Sequence, residues 1–472
     1  MVSTSRPSSV PIPAAADRVV IYMPMIPEAA IAMLATARLG AVHSVVFGGF
    51  APKELAARIR DAAPAVVVTA SGGIEPSRRV EYLPAVAEAL ELAGRPDTPV
   101  LVKGRDGFAA KVTDFDGWLD RDTELATAAP AGPVDVKATD PLYILYTSGT
   151  TGTPKGVVRD NGGHAVALAW TMENVYDVGP GDVMWTASDV GWVVGHSYIV
   201  YGPLIAGATT VLYEGKPVGT PDAGAFCWVV QDHGVNVLFT APTALRAIRK
   251  ADPEAALLAG YDTSSLRTLF AAGERRGSCL RGGGDIVLGL PLPPGTLTTL
   301  WRDDHRYVSS YLQAFDGAYA TGDSGYQDEE GYVFVMGRTD DIINVAGHRL
   351  STGSMEQVIG QHPAVAECAV IGVADPLKGQ RASGYVVLKS GVEMEAPVLV
   401  QELIALVRRD IGAVADFKNV MVVDALPKTR SGKILRKTMR QIADGDEYVI
   451  PSTIEDPEVI HQLIGKLRPT GD

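Results

Sequence analysis

Cysteine is scarce, with three in 472 residues, and Cys227, Cys279 and Cys368 lie far apart. That spacing excludes a disulfide framework and a zinc-ligand pattern, and it favours a reducing compartment. Positive charge is short as well. Against 42 Lys and Arg stand 55 Asp and Glu, a formal charge of −13. Such an acidic chain is not built to hold nucleic acid as its main partner, although local basic pockets for small phosphorylated ligands stay open. No apolar run is long enough to cross a bilayer, so no membrane partner is expected. The opening MVSTSRPSSVPIPAAA lacks the apolar stretch of a signal peptide and reads as a ragged terminus. The expected location is the cytoplasm, with the mitochondrial matrix left open. No internal repeat is visible. No Walker A loop is present either, because no lysine directly follows the second glycine of such a loop with Ser or Thr after it.

What is present is ordinary globular material. Hydrophobic residues make 46% of the chain and charged residues 21%, over a length sufficient for two or three domains. From Asp17 to Phe270 short apolar runs alternate with helical stretches. RVVIYM (18–23) is followed by PEAAIAMLATARLG, which Pro27 opens and Gly40 closes. HSVVF, the amphipathic APKELAARIRDAAP and AVVVTA continue the pattern, and LYILY, VMWT, ATTVLY, VNVLF and LRTLF extend it. This order predicts an α/β domain with a largely parallel, buried sheet flanked by helices. Beyond Arg338–Asp341 the texture changes to a small α+β domain: a helix (SMEQVIGQH), two strands (AVAECAVIGV and GYVVLK), a helix (VLVQELIALVRRDIG), a strand (NVMVVD) and a basic stretch. The expected division is therefore 1–340 and 341–472.

The strongest chemical signal is LYILYTSGTTGTPKGVV (142–158). A buried strand runs into Thr147, Ser148, Gly149, Thr150, Thr151 and Gly152, then Pro154 and Lys155. Hydroxyls, closely approachable backbone N–H groups and a lysine suit a polyphosphate. The plain alternative is an ordinary Gly/Thr hairpin, but three hydroxyl–glycine alternations before Pro-Lys-Gly exceed what a turn requires.

YTSGTTGTPKG resembles the phosphate loop of the AMP-forming acyl-CoA synthetases, in the adenylate-forming superfamily. More of that pattern follows in order: VGWVVGHSYIVYGPL (190–204), FAAGE (270–274), YATGD (319–323), GYVFVMGRTDDIINVAGHRLS (331–351) and LPKTRSGKILR (426–436). VVRDNGGHAVALAW (157–170) is most similar to the propionyl-CoA synthetases of the family. The resemblance implies a large adenylation domain and a small C-terminal lid. It implies two half-reactions, with Mg2+–ATP, a short carboxylate and coenzyme A as substrates. The carboxylate attacks the α-phosphate to give an acyl-adenylate and pyrophosphate; the CoA thiol then takes the acyl group and AMP leaves.

Carried over residue by residue, Lys433 is the lysine that reaches the α-phosphate. Asp323 accepts from the ribose hydroxyls, with Arg338 on the ribose or phosphate and Arg349 on phosphate. Gly273 and Glu274 lie beside adenine and the acyl group. Trp192, Val193, Val194 and Ala272 line the acyl pocket. Val194 stands where acetyl-CoA synthetases carry threonine, and Ala272 where they carry valine. The smaller Ala272 leaves room for about one extra methylene, worth roughly 1–3 kcal/mol of discrimination, which favours propionate over acetate. Asp340 is the hinge of the lid. Gly347, His348, Arg408 and Arg78 face coenzyme A, Arg78 with less support because a second arginine of that site is Glu75 here. His362 matches a magnesium or backbone-capping position, and an ordinary surface histidine is its bland reading. Acylation of Lys433 by a lysine acyltransferase, reversed by a deacylase, would silence adenylation.

Two departures stand out. Family members carry a long segment before the strand matching RVVIYM. After FAAGE they carry an aromatic–Gln–Thr–Glu–Thr–Gly motif that stacks on adenine, and this chain has none. GERRGSCLRGGGDIVL (273–288) occupies that place. Its arginines and glycines invite a phosphate-cradle reading, but its flanks mark a junction across missing structure. The second expectation is therefore a catalytically defective member that at most binds nucleotide. A P-loop phosphotransferase fails on the lysine spacing.

Overall fold

The computed structural model describes residues 13–76, 78–147, 155–272, 284–338, 342–345, 348–376, 379–392, 394–411, 415–429, 432–451 and 454–467. Two units group by internal contact: Met1–Ala271 with Pro293–Tyr307, and Ala272–Leu292 with Val308–Asp472.

In the first unit the strand Arg18–Met23 is buried along nearly its whole length. It pairs in parallel with Val42–Phe47 on one side and Val66–Ala70 on the other. Alternate residues serve two cores. Val20 and Tyr22 join Leu55, Ile59, Leu83 and Val86 on one face, while Val19, Ile21 and Met23 join Met33, Leu145 and Ile199 on the other. Burial on both faces is why these strands read as continuous β-branched runs rather than alternating ones. Each fully buried Val or Ile contributes roughly 1.5–3 kcal/mol. The crossover helices are Pro27–Arg38 and Pro52–Ala62, each with proline in its first turn. Gly40, at φ +67, lets the chain leave the first of them, as expected for a left-handed residue after a helix end.

Among the described residues this sheet has eight strands. Pro141–Thr147 lies beside Val42–Phe47, Lys155–Asp160 returns antiparallel to it, and Thr299–Leu300 closes that edge. A second, all-parallel sheet has the order Thr209–Thr210, Val183–Ala187, Val237–Thr240, Thr268–Ala271. One expectation needs correction here. ATTVLY is a strand only at Thr209–Thr210. Beyond Val211 the chain bends into a turn held by Thr220, whose hydroxyl accepts from Lys216 N and bonds Tyr213. Side-chain bonding has replaced ladder pairing.

In the second unit a long antiparallel pair, Val365–Asp375 and Gly379–Leu388, is joined in parallel by Asn419–Val422 and extended by Ile342–Val345 and His348–Ser351. Helices Thr352–Gly360 and Ala396–Asp410 cover one face through Met355, Ile359, Leu399, Leu403 and Val407. Helices Arg436–Asp444 and Glu458–Leu467 cover the other through Met439, Ile442, Ile460 and Leu463. Val370 points to the first core, Ala369 and Ile371 to the second. The strand Gly284–Gly289 begins just past the arginine- and glycine-rich junction and pairs with Ala318–Gln327, which pairs with Val333–Arg338. These three strands group with the second unit.

Candidate active site

The base of the expected phosphate loop is well defined. Leu142–Tyr146 are buried, and Thr147 emerges exposed at the end of the strand. Thr147 is paired across the antiparallel ladder with Lys155, so the two ends of the loop are held side by side. Ser148, Gly149, Thr150, Thr151 and Gly152 lie outside the described residues. A side chain at Gly156 would be tight, since a Cβ there would meet Trp301 Cβ at 3.0 Å and Ile144 Cγ2 at 3.1 Å. Beneath the loop Tyr146 donates to Asp61 at 2.5 Å. Burial first, then that carboxylate, holds the phenol well above its usual range.

Trp192 opens the short helical turn Val193–Gly195. Its indole stacks on Phe47 at 5.5 Å and meets Phe50 edge-on at 6.1 Å. Val193 is exposed, whereas Val194 packs against Met172, Tyr176 and Phe239. The turn has no slack. A Cβ on Gly195 would sit 1.9 Å from the Asp189 carbonyl oxygen, and one on Gly191 would meet Phe47 backbone at 2.9 Å. Asp189 shapes this turn by accepting from Gly191 N at 2.7 Å. By area its residue is only half-buried, yet protein surrounds the carboxyl closely, and burial pushes it up to about 6 against the pull of the Gly191 N–H.

Behind Trp192 lies a group the sequence reading did not single out. His196 donates through both its backbone N and its ring Nδ1 to the Trp192 carbonyl, each at 3.0 Å. With Nδ1 carrying the proton, Nε2 keeps its lone pair. His43 stacks on His196 at 5.4 Å, on Tyr143 at 5.5 Å and on Tyr201 at 5.9 Å, and its Nε2 bonds the Tyr201 hydroxyl at 2.7 Å. His164 meets Tyr143 and Tyr201 edge-on. His196–Tyr201 forms a π-helical turn, a wide turn that recurs near functional sites. All three imidazoles are buried. Burial lowers His164 and His196 to about 4, with Arg159 and then His196 adding to the effect at His164. His43 is lowered well below its ordinary value by burial and then by His196 and His164. The signal available in the sequence was a lone histidine heading an apolar strand, HSVVF, which core packing also explains.

In the second unit Asp323 and Arg338, expected on one ribose, are register partners on adjacent antiparallel strands. Gly322 at φ +73 turns the chain just before Asp323, whose N–H donates to the Thr321 hydroxyl at 3.1 Å. Arg338, His348 and Arg349 are described by strand position only, the last two on His348–Ser351. Lys433 is exposed at the end of a hairpin closed by the Lys428–Ile434 bridge. Arg408 is exposed on the last turn of Ala396–Asp410. In the first unit Arg78 is exposed on the hairpin Gly72–Glu75/Arg78–Glu81, directly across from Glu75, which pairs with Lys216 at 3.2 Å. Ala272 is exposed after the edge strand Thr268–Ala271. Gly273, Glu274, Asp340 and Gly347 lie outside the described residues.

Of the readings of His362, the geometry agrees with backbone capping. Its Nδ1 accepts from Ala364 N at 3.2 Å and its Nε2 faces Glu402 at 2.8 Å, so both ring nitrogens are engaged and the residue caps backbone. Among the described residues no group of three His, Cys, Asp or Glu could hold a metal ion. No helix among them is long and apolar enough to cross a membrane.

The family model described as AMP-binding enzyme matches residues 14–302, and that of the AMP-binding enzyme C-terminal domain matches residues 354–433. The chain belongs to the AMP-binding enzyme family. Within it the chain groups with the acyl-CoA synthetases. It is 52% identical to an uncharacterized protein of Pseudomonas aeruginosa, over 96% of this chain and 82% of that one. It is 47% identical to the human mitochondrial acyl-CoA synthetase short-chain family member 3, over 96% and 75%. It is 40% identical to acetyl-coenzyme A synthetase 1 of P. aeruginosa, over 95% and 78%. The fold matches that of an acetoacetyl-CoA synthetase from Streptomyces lividans, with a TM-score of 0.83, 23% identity and coverage of 96% and 78%.

Proposed function

We propose that this AMP-binding enzyme joins a short-chain carboxylate, propionate before acetate, to coenzyme A through an acyl-adenylate, with release of AMP and pyrophosphate. The carrying observation is the pairing of Thr147 with Lys155 at the mouth of the TSGTTGTPKG loop, which sets hydroxyls and a lysine at the end of a rigid buried strand. That is where a polyphosphate is best gripped. Asp323, an acceptor-only carboxylate, takes the ribose diol, with Arg338 beside it in register. Lys433 supplies positive charge at the α-phosphate as the pentacoordinate centre forms, and Arg349 adds a phosphate contact. In this reading Trp192, Val193, Val194 and Ala272 are the residues that select the acyl group, and the bulk of the indole excludes long chains. Magnesium arrives with ATP. The functional division falls at Asp340, the hinge at which the lid turns between half-reactions; Gly347 and His348 serve the pantetheine of coenzyme A, and Arg408 and Arg78 its nucleotide end. Gly273 and Glu274 flank adenine. The place of work is the cytoplasm or the mitochondrial matrix, and acylation of Lys433 by an acyltransferase would turn adenylation off until a deacylase reversed it.

One observation favours a second reading. Alignments to the relatives run over 512 to 519 residues against a chain of 472, so the relatives carry internal sequence that this chain lacks. With the adenine-stacking motif absent, the alternative is a defective member that binds nucleotide without turning it over. One experiment tests both. Propionate-dependent ATP–pyrophosphate exchange and propionyl-CoA formation are measured for the protein and for Lys433→Ala. The first reading expects exchange in the parent, its loss in the variant, and retained thioester formation from supplied propionyl-adenylate. Equal loss of both half-reactions rejects the role of Lys433. No exchange in the parent selects the second reading.

A further inference from the structure

The hairpin that presents Lys433 is shaped by its own bonds. Thr429 N donates to Lys433 O at 2.8 Å, Gly432 N to Thr429 O at 2.8 Å, and Lys433 N to the Thr429 hydroxyl at 3.1 Å. Gly432 adopts φ +82, which permits the reversal. None of these bonds ties the hairpin to the rest of its unit. The hairpin is tied to its unit by the Thr429–Ile454 bridge, by Glu455 N donating to Lys428 O at 2.8 Å, and by the side chains at its two feet. On one side Lys428 Nζ lies 2.5 Å from Glu367 Oε2 on the strand Val365–Asp375. On the other, Arg436 makes a two-pronged pair with Glu356, Nε to Oε1 at 2.9 Å and a terminal nitrogen to Oε2 at 2.8 Å.

The two side-chain attachments are unequal. Glu356 is itself fixed: it projects from the helix Thr352–Gly360, its side chain is 15% exposed, and its Oε1 also accepts from Val370 N at 2.8 Å. The backbone oxygen of Glu356 accepts from the Cys368 thiol as well. Helix, edge strand and hairpin foot therefore meet on one carboxylate. A planar guanidinium held by both oxygens has little rotational freedom, unlike the single contact of Lys428. The chain runs from Lys433 to Arg436 through Ile434 and Leu435, both packed against the core of Met439 and Ile442. Any tilt of Arg436 is thus passed directly to Lys433.

We propose that Glu356 is a positioning residue for adenylation: its clamp on Arg436 sets where the Lys433 ammonium stands. This rests on the reading of Lys433 as the adenylation lysine. Glu356→Gln keeps the shape and an oxygen for Val370 N but removes the charge-assisted pair. Arg436→Lys keeps the charge and loses the fork, and Arg436→Met loses both.

Two readouts on the full chain test the proposal. The first is amide hydrogen exchange of the hairpin, against the strand Gly379–Leu388 as control. Loss of a charged hydrogen-bond pair predicts exchange about tenfold faster at Gly432, Lys433 and Leu435 in Glu356→Gln and Arg436→Met, with the strand unchanged. Arg436→Lys should fall between these and the parent. The second is the pair of half-reactions. Misplacement of a catalytic group predicts a fall of about ten- to a hundredfold in kcat for adenylation. KM for ATP and thioester formation from supplied acyl-adenylate should be unchanged. Unchanged hairpin exchange overturns the clamp, as does faster exchange throughout the unit with equal loss of both half-reactions, which marks a merely structural residue. If Lys433→Ala leaves adenylation intact, the positioning role falls with the lysine. In a parent without adenylation, the hairpin's exchange decides alone.

Discussion

Mild acid should destabilise the first unit through its buried histidines. The perturbation is a shift from pH 7 to pH 5. His164 and His196 ordinarily titrate at 6.5 but are held at about 4 when folded. The folded form therefore binds fewer protons than the unfolded one in this window. Stability is complete above pH 6.5 and drains away as the pH falls toward 4. At pH 5 the unfolded imidazole is nearly all protonated and the folded one nearly all neutral, a loss of about 2 kcal/mol per histidine. His43 is shifted in the same direction and adds to the loss. The charge facing the cluster is Arg159, which works the same way at His164. Asp189 works the other way. Its folded value of about 6 lies above the ordinary 3.8, so it destabilises the fold at pH 7 and gives part of that back as the pH falls. That return is about 1 kcal/mol at pH 5. The net loss is about 3 kcal/mol from the two valued histidines alone, enough to lower the melting midpoint by about 5–10 °C. All six tryptophans lie in the first unit, so tryptophan fluorescence follows it without the second. His196→Asn keeps an N–H for the Trp192 carbonyl and removes one titrating group, so it should cut the pH-dependent loss by about 2 kcal/mol. A midpoint that stays within about 2 °C between pH 7 and 5, or a variant with the parent's full pH dependence, would refute the reasoning.

Gly195→Ala should destabilise the first unit by about 2–3 kcal/mol or more, because the new Cβ would strike Asp189 backbone at 1.9 Å rather than a side chain that can move; urea midpoints check this, and an unchanged midpoint would contradict the packing. Asp323→Ala should raise KM for ATP about tenfold or more through lost ribose bonds while KM for propionate holds, read from steady-state kinetics.

Much of the fold was legible in local pattern. RVVIYM, HSVVF and AVVVTA form the expected parallel strands, and Pro27 and Gly40 bound the expected helix, because burial on two faces and backbone punctuation are written in neighbouring residues. ATTVLY was over-read because its last residues are claimed by Thr220 and Tyr213, whose bonding is not a matter of period.

The site divides the same way. The expectations for the phosphate loop, Asp323 and Lys433 came from contiguous motifs that resemble the family's, and the roles of these residues are proposed. What only the tertiary structure decided is how distant segments meet. His43 touches Tyr201 from 158 positions away, and Arg436 meets Glu356 from 80. Asp323 faces Arg338 through a bulged register that no composition reveals. Such contacts form only when the chain closes loops between remote elements, and their identity depends on sheet order and register rather than on any local preference.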